Sequence, residues 1–214
     1  ATVCTVLVVL DIGISLLTID IVSLVVSIAI GSILLKTTIA IRGMQIHALA
    51  VFDAVEKGDL DSARNHLSMI VKRDTKHLDK NHILSAVLES VSENTVDGVT
   101  GPLFYYAIFG LPGAFVYRVI NTIDSMIGYK TTLFKNVGWF GAKCDTVLNY
   151  LPSRLTALVM ILGALILGYN WKESLYIMKR DSGKLESPNA GFPMAALAGA
   201  LGTRLEKMNY YTIG

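Results

Sequence analysis

The chain has 214 residues, 52% hydrophobic and 17% charged, with a mean hydropathy of +0.52 and a formal net charge of +2. Soluble globular chains carry roughly 25% charged residues, so this composition excludes a disordered or collagen-like chain and, with only two cysteines, a disulfide framework. So small a net charge also argues against nucleic acid as a partner and leaves a membrane-embedded protein or an unusually apolar soluble one.

A membrane-crossing helix needs about 20 mostly apolar residues. Four windows approach that length. Ile21–Leu35 is uncharged and reaches Ile41 if Lys36 extends its ammonium to the interface; Asp11 and Asp20 break the apolar run before it. Gly98–Tyr117 carries no charge but contains Pro102 and the run Gly110-Leu111-Pro112-Gly113, which breaks a helix. Irregular backbone at membrane depth persists only when covered by protein or facing water, so a re-entrant hairpin is an alternative to a plain crossing there. Leu155–Trp171 ends on a tryptophan placed as an interfacial anchor. Ser187–Thr203 is the fourth window, richer in Gly, Ala and Pro. The expected fold is therefore all-α, a polytopic membrane helical bundle forming one integral-membrane domain over residues 1–214.

Charge is unevenly placed. Residues 53–97 carry a net −3 and residues 98–154 a net +3. Positive residues favour the cytoplasmic side, which puts residues 118–154 in the cytoplasm. A re-entrant window would put 53–97 there too, as a polar helical segment within the domain.

Within that segment, Gly58-Asp59 supplies a stop and a cap, and Leu60, Ala63, Leu67, Ile70 and Val71 follow at helical spacing. A second helix is expected over Asn81–Val96, with Leu84, Val87, Leu88 and Val91 as its apolar stripe. At about 100° per residue, Glu89, Glu93 and Asp97 line up opposite that stripe. A solvated polar face is the ordinary reading of such a row. Yet no Lys or Arg interleaves it, like charges at i, i+4 repel, and a cation would relieve them. Asn94 with Asp97, Asn121 with Asp124, and Asp145 with Asn149 repeat the pattern of hard oxygen donors at helical spacing, which suits Mg²⁺. Arg73, Arg118, Lys130, Lys135, Lys143 and Arg154 are the basic groups available for phosphate oxygens. His47, His66, His77 and His82 lack metal-ligand spacing and read as solvated; Cys4 and Cys144 read as ordinary thiols. There is no P-loop, no dinucleotide-binding glycine motif and no nucleophile elbow.

The run ESVSENTVDGVTGPLFYYAIFGLPGAFVYRVINTIDSMIGYK (residues 89–130) strongly resembles the CbiB/CobD family of cobalamin-biosynthesis membrane proteins, the adenosylcobinamide-phosphate synthases. VKRDT (71–75) looks like the family's V-G-R-D-T, with Lys72 in place of glycine. GWFGAKCDTVLNYLPSRLTAL (138–158) and SPNAGFPMAALAGALGTRL (187–205) are similar to two further family blocks, in the same order. The similarity covers about residues 36–214, and family chains extend further at both ends, so the sequence reads as most of a larger protein.

The resemblance implies amide formation between the propionate of adenosylcobyric acid and aminopropanol or aminopropanol phosphate, with ATP as cosubstrate and Mg²⁺ as metal. It also implies a multi-pass cell-membrane protein in a lipid bilayer, with its site on the cytoplasmic side and other corrinoid-pathway enzymes as partners. Matched position by position, the family's recurrent polar residues are Arg73, Asp74, Thr75, Glu89, Glu93, Asn94, Asp97, Arg118, Asn121, Asp124, Tyr129, Asp145, Asn149, Arg154 and Asn189. Expected roles follow. Glu93, Asp97 and Asp124 would hold Mg²⁺; Arg73, Arg118 and Arg154 would bind phosphates; Glu89 or Asp145 would take the proton from the attacking ammonium. Asp74, Thr75, Asn94, Asn121, Tyr129, Asn149 and Asn189 complete the expected substrate-binding set. The competing readings are a Mg²⁺-dependent membrane prenyl-diphosphate transferase, and a corrinoid transporter or non-catalytic scaffold built on the same apolar helices.

Overall fold

The computed structural model describes residues 5–9, 11, 13, 21–128 and 136–214. The chain is mostly helical: α1 (Ile21–Thr38), α2 (Ile41–Glu56), α3 (Leu60–Ser68), α4 (Lys80–Thr95), a π-helical turn (Val96–Thr100), α5 (Gly101–Ile127), α6 (Trp139–Leu148), α7 (Tyr150–Ile166), α8 (Trp171–Asp181) and α9 (Gly191–Leu201). A short antiparallel ribbon follows, β1 (Leu205–Lys207) with β2 (Tyr211–Ile213), Leu205 opposite Ile213. By length and composition two helical runs, Ser23–Glu56 and Lys80–Ile127, suffice to cross a membrane, and a third does if the bent pair α6–α7 is one span. The fourth expected window is not a crossing. Gly191–Leu201 has 11 residues, and its alanines and glycines are buried against protein. Gly199 lies so close to the backbone of Glu173 and Ser174 on α8 that a Cβ would collide with it.

The chain packs as two compact units, residues 1–40 with 97–148 and residues 41–96 with 149–214. In the second unit, α2, α3 and α4 share a core of Val51, Ala63, Leu67, Ile83 and Val87. A second core joins Ile177, Met194 and Ala198 to Leu205 and Ile213 of the ribbon. Asp59 starts α3 by accepting from the Ser62 amide at 2.9 Å, and Gly58 takes φ +76° to make that turn. Asp79 does the same for α4 through the His82 amide, which, with the His82 ring, lowers the Asp79 pKa.

In the first unit, α1 and α6 pack on α5, where Gly141 gives Ile123 its room. α5 is not one rod. Gly110 leaves helical geometry at φ +66°, ψ −157°. Beyond it the chain folds back: the Tyr105 and Tyr117 rings stack with centroids 5.3 Å apart. A Cβ on Gly101 would overlap the Tyr117 ring, and one on Gly113 would overlap the Tyr105 carbonyl. In an unbroken helix residues 101 and 117 would stand about 24 Å apart, and 105 and 113 about 12 Å. Residues 101–109 and 111–127 are therefore the two arms of a helical hairpin. The glycines permit the close approach, as small residues do between membrane helices. The first arm, at 1.5 Å per residue, is roughly 13 Å long, under half of a ~30 Å hydrocarbon layer.

Candidate functional site

The expected site residues fall into three clusters, one in the first unit and two in the second. In the first unit, Arg118 Nη1 donates to the Asp97 carbonyl at 3.3 Å and to Asn121 Oδ1 at 3.4 Å. Asn121 is buried and passes the chain on, its Nδ2 donating to Asp145 Oδ1 at 3.2 Å. A guanidinium, an amide and a carboxylate are thus connected across α5 and α6. The π-turn supplies the Asp97 carbonyl. Asp97 is the second residue of that turn, where the winding is wider than in the α-helix that carries Glu89 and Glu93.

Asp124 lies in the last turn of the hairpin's second arm. Its side chain fills the space beside Gly128, whose amide donates to the Asp124 carbonyl at 2.8 Å. The carboxylate there meets the partial negative charge of the helix C-terminus, an arrangement that a cation would relieve. Tyr129 lies outside the described residues.

In the second unit, Glu89 is buried rather than facing solvent, because α4 is covered on several sides. Its oxygens accept three bonds. Ser85 Oγ donates to Oε1 at 2.7 Å, and the Tyr211 hydroxyl donates to Oε2 at 2.8 Å. The Arg73 guanidinium also donates to Oε2 and forms an ion pair with it. Of the remaining members of the R-D-T run, Thr75 is buried and donates to the Arg64 carbonyl at 3.0 Å, fastening the loop to α3. Asp74 is exposed and accepts from the Lys76 amide in a tight turn. Glu93 and Asn94 are exposed on α4, and Asn94 donates back to the Ser90 carbonyl.

The third cluster holds Arg154 flat between two rings, 3.6 Å from the Tyr150 centroid and 4.2 Å from that of Phe192. One nitrogen, Nη1, reaches the Tyr150 carbonyl at 2.6 Å and Asn189 Oδ1 at 3.3 Å. Asn149 is buried in the turn between α6 and α7 and precedes the first residue of α7.

Among the described residues no three His, Cys, Asp or Glu side chains come together as a metal-holding group. Of the three expected ligands, Asp97 and Asp124 belong to the first unit and Glu93 to the second. The chemistry of the donors still suits Mg²⁺, which commonly binds through one or two carboxylates together with substrate phosphates.

Sequence reasoning missed Ser85 and Tyr211. Ser85 carried a signal, its i, i+4 spacing to Glu89 on one helix face. Tyr211 carried none, being 122 residues from its partner. It also missed Asp181, fully buried, which accepts from Arg180, Lys184 and the Gly214 amide and ties the ribbon to α8.

The profile of the family described as CobD/Cbib protein matches residues 1–214. A probable cobalamin biosynthesis protein CobD of Methanothermobacter thermautotrophicus is 49% identical over 185 residues, 86% of this chain and 62% of that protein. The cobalamin biosynthesis protein CobD of Leptospira interrogans is 48% identical over 180 residues, 84% of this chain and 57% of its own. That of Clostridium perfringens is 46% identical over 182 residues, 85% and 58% respectively. The chain thus spans about three-fifths of the length of these relatives. No solved structure matches it.

Proposed function

The chain belongs to the CobD/CbiB family of cobalamin-biosynthesis proteins, and on that premise we propose that it forms the amide between the propionate of adenosylcobyric acid and aminopropanol or aminopropanol phosphate. A carboxylate does not condense with an amine in water unless activated. In the proposed reaction, ATP phosphorylates the propionate to an acyl phosphate, releasing ADP. The amine then attacks the acyl carbon, the C–N bond forms, and inorganic phosphate leaves with its bonding oxygen.

The observation that best supports this reading is the Arg118–Asn121–Asp145 chain: a fixed cation and a carboxylate connected through a buried amide. Arg118 would bind phosphate oxygens while charge develops on them. Asp145 would accept a proton from the attacking ammonium. Glu89 is the less suited of the two expected bases, its oxygens accepting from Arg73, Ser85 and Tyr211 in a buried setting. Arg154, its plane held by two rings, would bind a second anionic group. Asp97 and Asp124 would hold Mg²⁺ together with the phosphates it neutralises.

The proposed site opens to the cytoplasm. On that topology, cysteines introduced at positions 62 and 136 are labelled from the same side of the membrane, and opposite-side labelling overturns it. The reaction is tested with purified protein, adenosylcobyric acid, ATP, Mg²⁺ and either amine, read by mass spectrometry. Amide product that requires all components supports it. Product without ATP, or consumption of a prenyl diphosphate instead, refutes it. If Asp97→Asn and Asp124→Asn keep full activity, the metal assignment is wrong.

A further inference from the structure

The C-terminal ribbon reaches into the Arg73–Glu89 pair through both of its strands. From β2, the Tyr211 hydroxyl donates to Glu89 Oε2 at 2.8 Å. From β1, the Glu206 amide donates to Ser85 Oγ at 2.7 Å, and that hydroxyl spends its single proton on Glu89 Oε1 at 2.7 Å. Glu89 is thereby fixed at both oxygens, with 5% of its side chain exposed.

Arg73 is held differently. Among the described residues its hydrogen bond and ion pair are to Glu89 Oε2, made through Nη2, and its side chain is 18% exposed. A guanidinium carries five N–H donors, and among the described residues Nε and Nη1 meet no acceptor at the rim of this buried cluster. Tyr211 is suited to a fixed role. Burial, and then the neighbouring Glu89 carboxylate, push its phenol far above the ordinary value, so it remains a neutral donor. Full satisfaction of Glu89 would serve a structural fastener equally well. The unspent donors of Arg73 are what point further.

We infer that Tyr211 is a positioning residue. Together with Ser85 it fixes Glu89, and Glu89 holds Arg73 so that the remaining guanidinium edge binds an oxyanion of phosphate or carboxylate type. In the proposed reaction that oxyanion belongs to the nucleotide or to a substrate, and to that extent the inference rests on the reading above. The N–H groups left on a planar guanidinium point at such a group only when the plane is set, so losing the brace lowers affinity even though Tyr211 does not touch the ligand.

Binding of inorganic pyrophosphate to the full chain in detergent, followed by calorimetry, separates this inference from the reaction. Tyr211→Phe keeps the ring and removes the donor; it is expected to weaken pyrophosphate about tenfold. Arg73→Lys is expected to weaken it at least as much, and the double variant no further than Arg73→Lys alone. Ser85→Ala frees the other oxygen of Glu89 without altering the ribbon's ring and supplies the same test if Tyr211→Phe does not fold. Wild-type affinity in folded Tyr211→Phe and Ser85→Ala, additive effects, or no pyrophosphate binding by the unaltered chain each overturn the inference. If pyrophosphate binding depends on Tyr211 but no amide is made, the reaction reading fails and this one stands. If amide is made and Tyr211→Phe leaves every KM unchanged, the reverse holds.

Discussion

Gly110→Ala tests the hairpin most directly, because its cost comes from the backbone alone. At φ +66°, ψ −157° the residue occupies a region that only glycine populates readily, and the nearest atom to an added Cβ is Pro112 Cδ at 3.8 Å, an ordinary contact. The expected loss is therefore strain without collision, about 2 kcal/mol within a usual range of about 1–3. For a chain of this size that corresponds to a fall of roughly 4–8 °C in the unfolding midpoint. Gly163→Ala is the matched control. Gly163 lies within α7 with nothing near its Cβ position, so the same chemical change gains about 0.5–1 kcal/mol of helix stability. Thermal unfolding of both variants in detergent, followed by circular dichroism, should give shifts of opposite sign. If Gly110→Ala is as stable as Gly163→Ala, the backbone does not reverse at Gly110 and the hairpin is wrong.

Four other outcomes are expected. Glu89→Leu leaves the Arg73 charge without its partner in a buried setting and should destabilise by about 3 kcal/mol, with most of the loss recovered in the Glu89→Leu/Arg73→Met double variant, both read from unfolding midpoints. Asp181 has its pKa held well below the ordinary 3.8, first by the Arg180 hydrogen bonds and further by Lys184 and the Gly214 amide. The unfolded chain therefore binds its proton before the folded one does. That contribution is complete above about pH 4 and is lost as pH falls further, so Asp181→Asn should flatten the acid side of a stability–pH curve. Gly101→Ala should destabilise through collision with the fully buried Tyr117 ring, by about 1–3 kcal/mol on the same thermal assay. Asp145→Asn should lower amide formation about 100-fold with little change in substrate KM; an unchanged rate removes Asp145 as the proton acceptor.

The sequence told most where physics is local. Asp59 as a cap, the ends of α3 and α4 to within a few residues, and the break at Gly110 all follow from side chains acting on their own backbone. It told less where long-range packing decides. The apolar stripe of α4 was visible, but a helix covered on several sides buries Glu89 as well, and nothing near Glu89 in sequence announces a tyrosine from the ribbon. Ser187–Thr203 read as a possible crossing because alanine-rich apolar composition is shared by membrane helices and by short helices packed tightly in protein. Within the expected acidic row Glu89 is buried and Glu93 exposed, a difference set by what packs on α4 and not by spacing, and the π-turn at Val96–Thr100 has no signature in the apolar pattern.

That turn and the fold-back together explain how residues so far apart in sequence meet. On a straight helix, Asp97 and Arg118 would be about 32 Å apart, yet the Arg118 guanidinium reaches the Asp97 carbonyl at 3.3 Å. The reversal at Gly110 brings the start of one arm beside the middle of the other. The π-turn precedes the first arm, so Asp97 stands at the hairpin's open end, and Arg118 and Asn121 reach the same end from the second arm. The apolar tip carries Ile108 and Phe109, 54% and 63% exposed, where lipid is the fitting neighbour. A helical hairpin with an apolar tip and a polar open end keeps irregular backbone covered by protein and gathers its charged groups at one end. The same apolar window that reads in sequence as a candidate crossing thus becomes the device that gathers a guanidinium, an amide and a carboxylate at one place.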